Sequence, residues 1–357
     1  MGILLIGGND FSFPSYAYLV VILLPYALKL NNTLVRKGQE LIFFQNIMVC
    51  FSILGIIQFF LQFLIGADWA FLIDTKLPAS IIKQHYNSMN SLGYGSTTYK
   101  STAFFMQEPS IFSQLLSIAI LIELIYFMNL KRLALYFAAL AVTFSGTGLI
   151  ILAVLTPFYL IATRRIGLLI AGVAFITTLP FWGEYVGLGY TINRIAEFGS
   201  TNSSAYARFI SPFITVVDKL FPEGVWHTLF GLGAGSMIRT MGAGVDYEVA
   251  TSTWSKIIFE YGFVGAILFY LYMGYLMFSG RKNLFLVFAI FIQFYFLGEF
   301  ILAPTVHALI IAFLVWPSTT RDDKIEGEGW LFLRFKKNPA DPEPSKPPYS
   351  AEASASA

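Results

Sequence analysis

Three arginines stand among the four basic residues of the segment 183–252: Arg194, Arg208 and Arg239, with Lys219 the fourth. A guanidinium is a planar fork of donors that matches phosphate oxygens two at a time, so this composition suits a phosphorylated ligand. Six acids share the segment, Glu184, Glu197, Asp218, Glu223, Asp246 and Glu248. The arginines can equally pair with these acids or with lipid headgroups. Asp246, Glu248 and His227 are acid–base candidates, and His227 is the natural one if histidine is used; a structural role for it stands equally open. Gly231-Leu232-Gly233-Ala234-Gly235-Ser236 is a glycine-rich turn whose backbone amides can approach an anion. It lacks the lysine of a nucleotide-binding loop, and a plain tight turn explains it as well. Glu108-Pro109-Ser110 puts a carboxylate at a helix start. There it is either a general acid–base or a device that favours the helix N-terminus.

These residues sit in a chain with little charge. Of 357 residues, 56% are hydrophobic, 17% aromatic and 12% charged. Soluble domains carry about 25% charged residues. Thirteen of the 23 basic and 21 acidic residues fall in 318–357, leaving the body poorer still. A soluble enzyme, a nucleic-acid binder and a disordered scaffold are excluded. One cysteine, Cys50, and three scattered histidines, His85, His227 and His307, make neither an intrachain disulfide nor a Cys/His metal site. No cofactor is expected, and no cleaved signal peptide is read at the N-terminus.

Apolar runs lie at about 12–29, 41–66, 109–129, 133–163, 166–182, 253–279, 283–300 and 301–317; a single span needs about 17–25 residues. The run 133–163 is too long for one span, and Ser145-Gly146-Thr147-Gly148 near its middle favours a break. The positive-inside rule decides in favour of a hairpin. Only then do Lys29/Arg36/Lys37, Lys131/Arg132, Arg164/Arg165, Arg281/Lys282 and the tail fall on one side, giving 15 basic residues inside and 8 outside. The expected fold is all-α: a polytopic helical bundle of about nine spans in residues 1–317, N-terminus out and C-terminus in. Its large outer loops are 67–108 and 183–252, and 318–357 is a disordered cytoplasmic tail.

Within the spans, Glu123, Glu260, Glu299 and His307 are functional candidates by default or polar clamps between helices. Glu123 reads as a snorkelling or capping residue, and Glu299 with His307 as a pair. In the second loop, 203–221 reads as an amphipathic helix lying along the membrane. Its apolar stripe is Phe209, Ile210, Phe213, Ile214, Val217, Leu220 and Phe221. Its polar stripe, Arg208, Ser211, Thr215 and Asp218, would present Arg208 at headgroup level.

Four stretches, in order, resemble the bacterial O-antigen ligase/polymerase superfamily over about 95–280. They are Phe104 to Ser113 around Glu108-Pro109-Ser110, Thr143 to Leu149 around Ser145-Gly146-Thr147-Gly148, Tyr206-Ala207-Arg208 followed by Leu229 to Ser236, and Ser255 to Gly265 with its Glu260-Tyr261-Gly262-Phe263-Val264-Gly265. Two places depart from the pattern. Gly146 stands where many relatives have arginine. Thr251-Ser252-Thr253 stands where many ligases, and some polymerases, have His-Asn, which weakens the ligase reading.

The resemblance implies metal-independent glycosyl transfer on the outer face of a bacterial inner membrane. A growing glycan on undecaprenyl pyrophosphate is the donor and a lipid-linked repeat unit the acceptor. Arg208 first, then Arg194 and Arg239, with Gly231, Gly233 and Gly235, are expected to hold the pyrophosphate. Glu108, Glu248, Asp246 and His227 are expected on the acceptor side. Trp226 and Trp254 could stack on sugars, although an interfacial aromatic belt is the plainer role. The expected partners are the lipid-linked oligosaccharide, the bilayer, a chain-length regulator and a flippase, and no nucleic acid. A ligase that transfers to a lipid core or protein, and a non-catalytic permease or flippase, are the alternatives.

Overall fold

A computed structural model describes residues 12–28, 36–78, 89–93, 96–182, 204–241, 251–280, 282–319, 325, 327–329 and 331–335. The described chain is mostly helical. Helix α1 (Phe13–Leu23) runs on into a tight turn, Leu24–Ala27. It is followed by α2 (Gln39–Ile65), two short turns α3 (Ala67–Ala70) and α4 (Leu72–Lys76), α5 (Pro109–Ile122) with a wide last turn to Phe127, α6 (Leu130–Thr143), α7 (Gly146–Ala162) and α8 (Ile166–Trp182). The second half holds short helices α9 (Ser204–Phe209), α10 (Ser211–Thr215) extended by wide and tight turns to Glu223, α11 (Val225–Phe230) and α12 (Ser236–Met241). Then come α13 (Thr253–Phe278), α14 (Leu284–Phe296) and α15 (Pro304–Ile310), which continues to Val315. Gln39–Ile65, Pro109–Phe127 and Thr253–Phe278 are long and apolar enough to cross a membrane.

Helix α5 is the hub, buried along nearly its whole length and packed by α2, α6, α7 and α14. Chain polarity follows from a few bonds. Asn129 caps α6, its Oδ1 accepting from the amides of Lys131 and Arg132 at 3.0 and 3.3 Å. The α6 helix then returns along α5, so that the amide of Ser101 donates to the Val142 carbonyl. At Phe144, with φ 44°, the chain reverses again. Helix α7 descends from Thr147, beside Ser113, to Tyr159, whose hydroxyl donates to the Leu124 carbonyl at 2.6 Å. The run 133–163 is therefore two antiparallel helices, as the small-residue break predicts. Gly148 makes this packing close, since a Cβ there would lie 2.2 Å from the Ser113 carbonyl oxygen.

Lys131/Arg132 and Arg164/Arg165 thus share one end of the bundle with Arg36/Lys37. Arg165 donates to the Leu124 carbonyl, and Lys282 lines a small cavity with Glu40, Tyr126 and Thr319. The opposite end carries 96–108, 143–148, 204–237, 251–262 and 297–303. We call these the basic end and the loop end.

Four expectations are corrected. Helix α13 is not one straight span: Gly262 has φ 68° and ψ −179°, a conformation almost confined to glycine. Tyr270 nevertheless donates to the carbonyl of Trp254, sixteen residues earlier, at 2.9 Å. A straight helix would hold these residues about 24 Å apart, so the two halves fold back on each other. Glu123 does not snorkel: it takes both arms of Arg132, at 2.8 and 2.9 Å, with both side chains buried, and its Oε1 also accepts from the amide of Asn129, where α6 begins, at 2.7 Å. His307 does not pair with Glu299; its ring bridges the Tyr26 hydroxyl at 2.7 Å and the Ile301 carbonyl at 2.9 Å, clamping α1 to α15. Part of the tail is also ordered. Strands β1 (Gly327–Glu328) and β2 (Arg334–Phe335) pair antiparallel, and Asn46 on α2 exchanges two hydrogen bonds with the Leu333 backbone, at 2.7 and 3.0 Å.

Candidate functional site

Helix α5 starts at Pro109, which suits a first helical turn because its missing N–H would have had no partner there. Glu108 precedes it in extended conformation and makes no side-chain cap bond. Its carboxylate goes elsewhere. Arg208 Nη2 donates to Glu108 Oε2 at 3.0 Å and to Ser110 Oγ at 3.3 Å. Ser110 Oγ donates in turn to Glu108 Oε2 at 2.7 Å. Arg208 Nη1 donates to the Leu297 carbonyl at 3.4 Å. Among the described residues these bonds use three of five guanidinium N–H donors. The side chains of Arg208 and Glu108 remain 21% and 35% exposed.

The Ser-Gly-Thr-Gly turn supports this pair from beneath. Thr147 Oγ1 bonds the Ser110 carbonyl at 3.2 Å and shares hydroxyl contacts of 3.1 Å with Ser113 and Ser145. Three stretches far apart in sequence (104–113, 143–149 and 206–208) thus meet at the loop end.

The helix that carries Arg208 differs from the expected one, although Leu220 of its apolar stripe is buried as expected. It is broken into α9 and α10, as Pro212 demands. Ser211 and Thr215, from the polar stripe, are buried, whereas Phe213, Val217 and Phe221 are exposed. The hydroxyls of Ser211 and Thr215 satisfy themselves on carbonyls four residues back, Ala207 and Ser211. The first part of the polar stripe, through Thr215, therefore faces the protein and brings Arg208 with it, while Asp218 stays exposed.

The fourth stretch builds a neighbouring cluster. The break at Gly262 deprives the carbonyls of Phe259 and Glu260 of their helical donors. The glycine-rich turn replaces them: Leu232 N–H bonds the Phe259 carbonyl and Gly233 N–H the Glu260 carbonyl, both at 3.0 Å. The crossing is so close that a Cβ on Gly231 would lie 2.4 Å from the Glu260 carbonyl, and one on Gly262 would lie 2.3 Å from that of Leu229. The amides of Gly235 and Met237 face the Glu260 carboxylate. The expected pyrophosphate cradle of Gly231, Gly233 and Gly235 is thus corrected. Its amides serve the broken helix and an internal anion.

Glu260 is buried beside Lys256, 4.0 Å away, and Lys256 is itself ion-paired with Glu299. Thr251 donates to the other oxygen of Glu299. Thr253 bonds both sides of the same turn, its amide to the Gly298 carbonyl and its hydroxyl accepting from Phe300 N–H. The turn 297–300 therefore joins the Arg208–Glu108 pair to the Lys256–Glu299 pair.

The other candidates lie apart or outside the described residues. His227, on α11, directs Nδ1 to its own Glu223 carbonyl at 2.8 Å. Arg239 is exposed on α12, near Gly235. Arg194, Asp246 and Glu248 fall outside the described residues. Trp254 packs on Phe213 with ring centres 4.4 Å apart, while Trp226 is exposed and stacked on Phe230. Among the described residues no group of three or more His, Cys, Asp or Glu could hold a metal ion.

Reasoning from sequence passed over Lys256 and assigned Glu299 the wrong partner. The available signal was a lysine four residues before a glutamate on an otherwise apolar helix, since a cation so placed requires a carboxylate. The arrangement offers a partly open guanidinium fork beside a partly open carboxylate. No family model, curated protein or solved structure matches the chain.

Proposed function

We propose that this chain is a polysaccharide polymerase of a bacterial inner membrane. It transfers a growing glycan from undecaprenyl pyrophosphate to a lipid-linked repeat unit, on the extracytoplasmic face. In this reading the bundle has nine spanning or near-spanning segments and its basic end faces the cytoplasm. The observation that carries the reading is the meeting of Glu108, Ser110 and Arg208 at the loop end, with the Arg208 fork held by three acceptors and still open to a ligand. The pyrophosphate is already a good leaving group, so the protein must hold the departing charge and orient the acceptor rather than supply energy. Arg208 does the first. Glu108 keeps the fork in place until phosphate oxygens, which match it better as paired acceptors, displace or share it. The ligase alternative is weakened at 251–253, where many ligases place a histidine; here Thr251, Ser252 and Thr253 bind Glu299, cap α13 and hold Gly298.

The test uses membrane vesicles charged with undecaprenyl-pyrophosphate-linked repeat units. Arg208→Ala abolishes chain elongation, and Arg208→Lys, which keeps the charge but not the fork, retains only a small part of it. Unchanged elongation by well-expressed Arg208→Ala removes the arginine from the mechanism.

A further inference from the structure

We infer that Glu299 is the base that takes the proton from the acceptor sugar hydroxyl, in a second subsite formed by Glu299, Thr251 and Lys256. The inference rests on the polymerase reading and assigns its acceptor side. Of the acids in this cluster, Glu299 is the one that reaches the surface. Its side chain is 30% exposed, whereas Lys256 and Glu260 are 2% and 3% exposed. Each Glu299 oxygen is anchored once, Oε1 by Lys256 and Oε2 by Thr251, which leaves lone pairs for an incoming hydroxyl. The carboxylate is therefore fixed in direction yet open.

Placement supports the same role. Arg208 Nη1 lies 3.4 Å from the Leu297 carbonyl, and Glu299 follows two residues later. The Cα atoms of Leu297 and Glu299 are at most about 7 Å apart, so the arginine fork and the Glu299 carboxylate are held by one turn. Glu260 supplies a second, independent sign. It is buried, and among the described residues its Oε1 has no hydrogen-bond partner, although Lys256 Nζ stands 4.0 Å away. The lysine leans towards Glu299, and the buried acid is left to the amides of Gly235 and Met237. That arrangement holds an ammonium in the cluster while keeping the outer carboxylate within its reach.

The step balances. The acceptor oxygen bonds to the anomeric carbon of the donor glycan. The bond from that carbon to the pyrophosphate oxygen breaks, and its electron pair leaves with the pyrophosphate against Arg208. The hydroxyl proton passes to Glu299, which returns it to water as product moves on. The groups facing Glu299 are Thr251 and Lys256, with Glu260 behind the lysine and the Arg208–Glu108 pair across the 297–299 turn.

Full-length protein in vesicles with lipid-linked repeat units tests this, with retention of labelled undecaprenyl pyrophosphate measured in parallel. Glu299→Gln is expected to slow elongation about 10²–10⁴-fold, the usual worth of a positioned base, with retention unchanged. Glu299→Asp restores at least part of the rate. Elongation by Glu299→Gln close to the wild-type rate overturns the assignment. So does loss of retention together with elongation, or an Asp variant no faster than Gln. A wild-type protein that elongates nothing overturns the polymerase reading and this assignment together, whereas an active wild type with an indifferent Glu299 overturns this assignment alone.

Discussion

Gly262 is where the fold and the candidate site are most tightly coupled, and replacing it with alanine has a size that follows from the geometry. Its φ of 68° with ψ near 180° costs a residue with a Cβ on the order of 1–3 kcal/mol. The new Cβ would also sit 2.3 Å from the carbonyl carbon and oxygen of Leu229, which is backbone and cannot swing aside. Relief requires the glycine-rich turn to back away, breaking the bonds from Leu232 and Gly233 to the Phe259 and Glu260 carbonyls. Each contributes about 0.5–1.5 kcal/mol net. The total is about 2–6 kcal/mol, centred on the half-helix that carries Lys256. Thermal unfolding of the purified protein in detergent reads the stability, and vesicle elongation reads the site. The same helix supplies a control in Gly274, where a Cβ meets nothing within 4 Å; Gly274→Ala should be neutral or stabilise by about 0.5–1 kcal/mol. If Gly262→Ala unfolds at the same temperature as Gly274→Ala, the interlock does not hold the two halves of α13.

Arg132→Met leaves Glu123 charged and unpaired in a buried place, and should destabilise by about 3–5 kcal/mol; Arg132→Met with Glu123→Leu should recover most of that in detergent melting. Gly148→Ala should separate α7 from α5, because its Cβ would lie 2.2 Å from the Ser113 carbonyl oxygen; an unchanged melting temperature would refute close packing there. Lys282, between α13 and α14, has its pKa pushed down to about 8 by burial, from an ordinary 10.5. The unfolded chain therefore binds more protons than the folded one between about pH 8 and 10.5, and stability from this group rises with pH across that window. Lys282→Met should remove that rise from a series of melts taken across it.

The helices were legible because apolar runs and caps are local properties. Glu108-Pro109 and the break at Ser145-Gly146 each mark a helix start that the structure keeps. The reversal at 144–145 was legible because only a hairpin gathers the basic clusters at one end. The break at Gly262 was not. A glycine inside an apolar run usually continues a helix, and only the crossing turn 229–233, some thirty residues earlier, fixes its φ. The site was half legible for the same reason. Arg208 and Glu108 could be nominated singly, since their types suggest phosphate and proton chemistry. Their bond to each other is a contact between residues one hundred positions apart, and no local pattern encodes it. Lys256 was hidden by its place in an apolar helix, and Glu299, nominated singly, was given the wrong partner because its contact with Lys256 is 43 positions away in sequence.

The inverted outer segment shows why the arginine had to be found in three dimensions. A helix at a water-facing surface buries its apolar stripe, so Arg208 on the polar stripe would point away from the bundle. Helices α9 and α10 bury Ser211 and Thr215 and expose Phe213, Val217 and Phe221, and α11 adds exposed Val225 and Trp226. Such a face is unstable against water over this extent and suits acyl chains. It is also continuous with the exposed apolar side of α13, since Phe221 meets Phe263 and Ile267, Leu268 and Leu271 continue outward along that helix. In the proposed scheme the segment is thus a rim sunk into the outer leaflet. A lipid-linked substrate would keep its polyprenyl chain against this rim while its pyrophosphate turned inward to Arg208. The apolar outside and the polar inside of one short segment are then two halves of the same requirement, because the substrate itself is apolar at one end and charged at the other.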